Sequence, residues 1–179
     1  MSLHSSVVDT LNDWRPEDPA QDALRLAVLA FVLARPDACR RSCVPGHITA
    51  STLVLDHSGR SAALTLHPRL KRWVQLGGHC EDDDPDLVAA ALREATEESG
   101  VHGLTVDPVP VAIHVHGLTC SLGEPTHHLD VQFVARALEG AELVASDESL
   151  DLRWWPLDAL PDGVDFGVRQ LVRAASTRV

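Results

Sequence analysis

Residues Gly77–Val101 read GGHCEDDDPDLVAAALREATEESGV, and this stretch decides the fold. Its second half, PDLVAAALREATEESG, is the strongest helical pattern in the chain, with Gly100 as the stop at its C-terminal end. At about 100° per residue, Val88, Leu92, Ala95 and Ser99 fall within about 40° of one another, with Ala91 beside them. That narrow stripe predicts a helix packed on a sheet. Glu94, Glu97 and Glu98 follow the i, i+3, i+4 spacing and share a different face. Three like charges so placed destabilise one another unless they are solvated, paired or neutralised. Glu97 and Glu98 also stand in the last turn, where acid opposes the helix dipole. The loop before the helix adds Glu81, Asp82, Asp83 and Asp84. Two readings fit: a solvated acidic face, or a site for a hard divalent cation bound through oxygen.

The charge balance concentrates in the same place. The 179 residues carry 26 acids against 15 Lys and Arg, a formal charge of −11. Eight of those acids lie between Gly77 and Val101, where Arg93 is the sole base, so this segment holds a net −7. Such a balance argues against nucleic acid as a polymer and against an anionic membrane as partners, because both are repelled at long range. With 45% hydrophobic and 23% charged residues the composition is that of a globular chain, long enough for one α/β domain but short for two.

Outward from the acidic segment the period alternates between strand and helix. A short helix is predicted near Ser6–Trp14, a break over RPEDPAQD, and a longer helix over Asp22–Ala34 that Pro36 ends. Leu24, Val28, Phe31 and Val32 form its buried face. From His47, ITASTLVLD, the turn HSGR and SAALTLH read as a strand pair, and RWVQLGGH as a further short strand. After the central helix, VPVAIHVHGLT and HHLDVQFVARAL are two strands separated by SLGEPT. DLRWWPLDAL then reads as a strand leading into a helical turn, and VDFGVRQLVRAAS as a C-terminal helix. The order predicts an α/β fold, a mixed sheet with helices on both faces.

Cys39, Cys43, Cys80 and Cys120 are too few for a disulfide framework. Cys39, Cys43 and His47 could be read as three zinc ligands, but no second ligand pair follows at zinc-finger spacing, and reduced thiols are the preferred reading. The apolar run Leu24–Ala34 is too short to span a bilayer, contains Arg25, and follows acids rather than a basic region. A cytoplasmic protein is the expectation.

The acidic segment resembles the signature of the Nudix hydrolases, G-x5-E-x7-R-E-U-x-E-E-x-G-U with U aliphatic. Arg93-Glu94-Ala95-Thr96-Glu97-Glu98-Ser99-Gly100-Val101 matches its second half, with small Ala95 at an aliphatic place. Gly78, five residues and Asp84 match its first half, with Asp for Glu. Eight residues rather than seven separate Asp84 from Arg93, so either the loop is one residue longer or Pro85 takes the place of the first glutamate. The strand order and the HITAS and RWWPLDAL segments are similar to those of bacterial, MutT-like members. The resemblance implies a Nudix-type α/β/α sandwich over residues 46–179, with residues 1–45 as an N-terminal helical extension packed on it.

The same resemblance implies a chemistry. Nudix enzymes hydrolyse a diphosphate linked to another moiety, and Mg²⁺ or Mn²⁺ must bridge that anion to an acidic pocket. Carried over by position, Glu97 and Glu98 are the principal metal ligands, and the Gly77 carbonyl completes part of the shell. Glu94 is a further ligand or the base that activates water. Arg93, four residues before Glu97, is read as an ion pair that holds the helix carboxylates rather than as a substrate contact. Glu148, in ASDESLDLRWW, is the candidate for an additional acid from a later loop. His79 could hydrogen-bond a phosphate at the pocket mouth, and alternation turns His128 and Asp130 to one face of their strand, where they could join it. Trp154 and Trp155 point to opposite faces, one to the core and the other free to stack on a base.

Substrate identity is not written in the motifs. The chain has no tyrosine, whereas diadenosine-polyphosphate members carry one downstream of the box. The proline expected of ADP-ribose members is also missing, with Pro108 and Pro110 too early. The coenzyme A and NADH-type arrays are absent as well. A small diphosphate-containing substrate is the expected partner, with a homodimer as an option for the apolar surface of the N-terminal helices. The alternative function is a Nudix-fold module that binds and senses a nucleotide without cutting it. A diphosphate isomerase would need a cysteine and a glutamate in contexts not found here.

Overall fold

The computed structural model describes residues 2–119, 123–146 and 149–176. Three helices lie on one face of a curled mixed sheet and one on the other. In chain order the elements are α1 (Leu3–Asp13), α2 (Pro19–Ala34), β1 (His47–Leu55), β2 (Ser61–Leu66), β3 (Trp73–Val74), β4 (Leu76–His79) and α3 (Leu87–Ser99). There follow β5 (Thr105–Val106), β6 (Ala112–Thr119), β7 (Pro125–Arg136), β8 (Leu152–Pro156) and α4 (Phe166–Ala175).

β1 is the hub, buried along its whole length. One edge runs parallel to β7, from His47 opposite His128 to Leu55 opposite Arg136. The other edge is divided. Thr49–Thr52 pair with β4, and only Val54 and Leu55 pair with β2. The strand expected over RWVQLGGH is therefore two strands, β3 on β2 and β4 on β1. β6 lies antiparallel on β7, β8 on β2, and the two-residue β5, too short to show a period, on the end of β7.

The alternation of β1 sends its two sets of side chains into different surroundings. Ile48 and Ala50 join Leu129, Val131 and Phe133 beneath Val7, Leu11, Trp14, Val28, Val32, Leu87, Ala90 and Ala91, so α1, α2 and α3 share one core with the sheet. Leu53 and Leu55 face the opposite way and pack with Val168, Leu171 and Val172 of α4. Each fully buried Leu, Val or Phe contributes about 1.5–3 kcal/mol of transfer free energy. The remaining odd positions of β1, His47, Thr49 and Ser51, lie beyond the apolar contacts of α4, and that end of the face is polar.

Several local expectations are refined. α2 begins at Pro19, three residues early, because Asp18 caps it and Pro fits the first helical turn. Arg25 is buried, its charge met by Asp22 at 2.7 Å and by the Leu11 carbonyl at 2.7 Å. Leu26 and Leu33 are exposed. On α3 the buried set is Leu87, Ala90, Ala91, Ala95 and Ser99, while Leu92 is exposed, because the helix is rotated toward its smaller residues for close approach to the sheet. Trp154 and Trp155 do turn to opposite faces, but both pack against apolar clusters, and Trp155 also meets Trp73 edge-on. Cys39, Cys43 and Cys80 are free and buried, and burial pushes the Cys39 thiol up to about 11. Among the described residues no helix is long and apolar enough to cross a membrane.

Candidate active site

The acidic helix is fixed at both ends before its carboxylates meet anything. Asp86 accepts the Ala89 N–H at 2.8 Å, and Gly100, at φ 67°, donates its N–H to the Thr96 carbonyl at 2.9 Å. A Cβ on Gly100 would lie 2.7 Å from that of Val144, so glycine is required there by space as well as by φ. With its small face on the sheet, α3 turns Glu94 and Glu98 toward β4.

The glycine pair of β4 makes that approach possible. Gly77 has φ 144°, and a Cβ on it would meet the Ser51 Cα at 2.4 Å. Its N–H donates to Glu98 Oε2 at 2.8 Å. A Cβ on Gly78 would lie 2.8 Å from Glu94 Oε2. Gly78 thus leaves room for the Glu94 carboxylate, and Gly77 for the close approach of β1 at Ala50 and Ser51.

Arg93 organises the acids around it. Its Nε and Nη2 donate to Asp84 Oδ1 and Oδ2 at 3.1 and 2.9 Å, a two-pronged pair. Nη2 also donates to the His79 carbonyl at 2.9 Å, and Nη1 to Glu94 Oε1 at 3.1 Å and Glu97 Oε2 at 3.3 Å. The Asp84 side chain is only 7% exposed, that of Arg93 22% and that of Glu97 60%. Hydrogen bonds from Arg93 to Asp84, then to Glu94, raise the guanidinium further above its ordinary range against the effect of burial. Burial, the largest single influence, raises the Asp84 carboxyl, but the Arg93 hydrogen bonds, the Glu81 N–H and the Arg93 charge together outweigh it and hold the group below the ordinary carboxylate range.

The loop is one residue longer than the family spacing, and the structure accommodates that residue. Asp84 N–H donates to the Glu81 carbonyl at 3.1 Å, and Glu81 N–H to Asp84 Oδ2 at 2.8 Å. The closed turn lets Asp84 reach Arg93, while Pro85 is exposed. Asp84, not Pro85, therefore faces the arginine. The contacts of Arg93 are those of an ion-pair hub.

Beside the helix lies the polar end of the sheet. Asp130 is 3% exposed and accepts four hydrogen bonds, from Thr49 Oγ1 at 3.0 Å, Ser51 Oγ at 2.6 Å, Gln132 Nε2 at 2.9 Å and Gln75 Nε2 at 3.4 Å. Gln75 Nε2 also reaches Ser51 Oγ at 3.3 Å. His128 shares this face, and its ring centroid lies 4.9 Å from that of His79 and 5.0 Å from that of His47. Burial, reinforced by the neighbouring rings and Arg41, lowers His128 to about 3; burial, with Arg41 and His47, lowers His79 to about 4. Both rings are neutral near pH 7.

The expected residues thus form two adjoining groups. Glu94, Glu97, Glu98, Arg93 and Gly77 meet along α3 and β4, and His79, His128 and Asp130 along the sheet. Glu148 lies outside the described residues. Reasoning along the chain did not single out Thr49, Ser51, Gln75 and Gln132, nor His114 and His116, which stand on β6 opposite Asp130 and His128; the polar alternate positions of HITAS, HVH and HHLDVQ carry the available signal. Nor does His47 converge with Cys39 and Cys43. It turns to His79 and His128 instead.

The chain thus joins a mixed sheet to an acidic helix docked on a glycine-paired strand. The NUDIX domain profile matches residues 45–175, so the chain belongs to the Nudix family and is a diphosphate hydrolase of that type. No curated protein matches it in sequence. Among solved structures it is similar to a Caenorhabditis elegans Ap4A hydrolase binary complex, at 20% identity and TM-score 0.56 over 73% of this chain and 96% of that one. It is also similar to the NUDIX domain of Shewanella oneidensis NrtR complexed with ADP ribose, at 20% identity and TM-score 0.55 over 83% and 97%. A third is the E. coli dihydroneopterin triphosphate pyrophosphohydrolase, at 14% identity and TM-score 0.58 over 74% and 96%. At these identities the likeness is one of fold.

Proposed function

We propose that this chain hydrolyses the diphosphate of a nucleoside diphosphate linked to another moiety, assisted by Mg²⁺ or Mn²⁺ at the carboxylates of α3. The observation that carries the reading is the division of labour among the acids. Asp84 accepts from Arg93 Nε and Nη2, and Arg93 in turn orients Glu94 and Glu97, with the Glu94 carboxylate beside Gly78.

The donor set suits a hard cation, since it consists of oxygens and Gly78 has no Cβ to occupy the approach to Glu94. Glu97 and Glu98, with Glu94 and the Gly77 carbonyl, would hold it. Bound there, the cation would offset the charge of the diphosphate and acidify water for attack on phosphorus. Glu94, half-buried and fixed by Arg93, is placed to take the proton of that water. Arg93 is a positioning residue that keeps the glutamates and the His79 carbonyl in one arrangement. Glu148 enters as the additional acid by its place in the sequence alone.

The polar sheet face supplies the substrate side. Asp130 spends its carboxylate on Thr49, Ser51, Gln75 and Gln132, so it acts by positioning those groups. Neutral His79 and His128 would meet a substrate by hydrogen bond rather than by charge. The phosphorylated compounds named with the similar structures support a nucleotide-like substrate class. The reaction is assigned to the cytoplasm, where thiols such as Cys39, Cys43 and Cys80 stay reduced.

The test is a screen of the purified chain against nucleoside triphosphates, nucleotide sugars and other diphosphates, with and without Mg²⁺. Turnover should need the cation, disappear in Glu97→Gln and Glu98→Gln, and fall on the order of a hundredfold or more in Glu94→Gln. Full activity in Glu97→Gln, or no turnover across the panel, would overturn the reading. Tight binding in calorimetry without product would replace it with the nucleotide-sensing module.

A further inference from the structure

We propose that His47, His79 and His128 form a second metal site, selective for a borderline divalent transition ion such as Zn²⁺ and separate from the carboxylates of α3. Three different strands bring the rings together. His47 opens β1 and stands opposite His128 of β7, while His79 ends β4 opposite Thr49. One ring nitrogen from each lies within 4.8 Å of the others. Tetrahedral zinc with nitrogen ligands at about 2.0–2.1 Å separates those nitrogens by about 3.4 Å, so closure needs less than about 1 Å of movement per ring.

The hydrogen bonding of the rings points to a ligand. The Nε2 atoms of His47, His79 and His128 are all buried with no hydrogen-bond partner. One such group in a native fold is uncommon, and each costs about 1–3 kcal/mol. Three at one point are not accounted for by packing. The tautomer of His47 is set from behind, because its Nδ1–H donates to the Cys43 carbonyl at 3.3 Å and leaves the buried Nε2 with a lone pair. A water molecule, with two protons to donate, meets all three Nε2 atoms only if one of them carries a proton. A cation accepts all three.

The donor set also selects the ion. Three imidazoles with no carboxylate among them suit zinc, cobalt, nickel or copper and do not suit Mg²⁺. Three protein ligands leave a fourth position for water or for an anion, as in open zinc sites. Arg41 opposes a cation here but favours an anionic fourth ligand, and the ring centroid of His116 lies 5.2 Å from that of His128. His79 is tied to the acidic helix through its carbonyl and Arg93, so the two sites adjoin without sharing a side-chain ligand.

This proposal does not rest on the diphosphatase reading, and its test uses no activity. The full chain, stripped with a chelator, is titrated with Co²⁺ while its visible d–d absorption is recorded, and Zn²⁺ is then added. One equivalent of Co²⁺ should give a tetrahedral spectrum that Zn²⁺ abolishes, and Zn²⁺ should raise the melting temperature. His79→Gln and His128→Gln, at half-buried positions, should each weaken Co²⁺ binding about a hundredfold or more while melting as the metal-free parent does. Glu97→Gln and Glu98→Gln should leave the spectrum unchanged. Absence of a tetrahedral spectrum would overturn the proposal. So would loss of Co²⁺ binding in the glutamate variants with retention in both histidine variants.

Discussion

The Asp84–Arg93 pair offers a quantitative test of how the acidic helix is held. In Asp84→Asn one oxygen remains to accept from Arg93, and the other is replaced by an NH₂ that faces the guanidinium and the Glu81 N–H as donor against donor. A hydrogen bond to a charged group is worth about 1.5–3 kcal/mol, and breaking a buried ion pair costs about 3–5 kcal/mol. The 22% exposure of Arg93 lets water recover part of that loss, so a destabilisation of about 2–4 kcal/mol is expected. For a domain of this size that lowers the melting temperature by roughly 5–12 °C. Urea unfolding followed by circular dichroism gives the same quantity independently. The pair should also couple: Arg93→Gln and Asp84→Asn together should cost less than the sum of the two by about 1 kcal/mol or more.

The pH dependence has a definite sign. Asp84 is held below its ordinary value of 3.8, so its contribution is complete above that value and is lost as pH falls through the lowered one. The gap between parent and Asp84→Asn should therefore be full at pH 7 and should narrow only under strongly acid conditions. A melting shift within about 2 °C, or strict additivity in the double variant, would refute the reasoning.

Two glycine substitutions separate folding from chemistry. Gly77→Ala places a Cβ 2.4 Å from the Ser51 backbone at φ 144°, and should cost about 3 kcal/mol or more, measured by denaturant unfolding. Gly78→Ala first meets the carboxylate end of Glu94, a flexible group that can move aside. It should keep most of the stability and lose turnover, on the order of tenfold or more, in the diphosphate screen; unchanged turnover would show that the position of Glu94 does not matter.

α3 was legible because everything that makes it is local. Its stop at Gly100, its acids at i, i+3 and i+4 and its small-residue face lie within sixteen residues, and helix geometry repeats them without help from the rest of the chain. The exposure of Leu92 shows the limit of that reading, since the rotation of the stripe depends on how closely the sheet approaches. The β-branched, apolar run of β1 and the order of strands along the chain were legible for the same reason. Less could be read of the loop before α3, where the place of Asp84 depended on a turn closed by Glu81.

The sheet face followed a different rule. Asp130 and His128 share a face by alternation alone, but the partners of Asp130 are 79 and 81 residues away in sequence at Ser51 and Thr49. The meeting of His47, His79 and His128 requires β1 to take β4 on one edge and β7 on the other. Strand pairing has no local period, and a shift of one residue in either register would turn a histidine to the opposite face. The sequence by itself determined the acidic helix, its charge and the resemblance that charge pattern carries. Tertiary structure alone decided which acid holds Arg93 and which histidines meet, because hydrogen bonds between distant strands, unlike those within a helix, are set by the packing of the whole sheet.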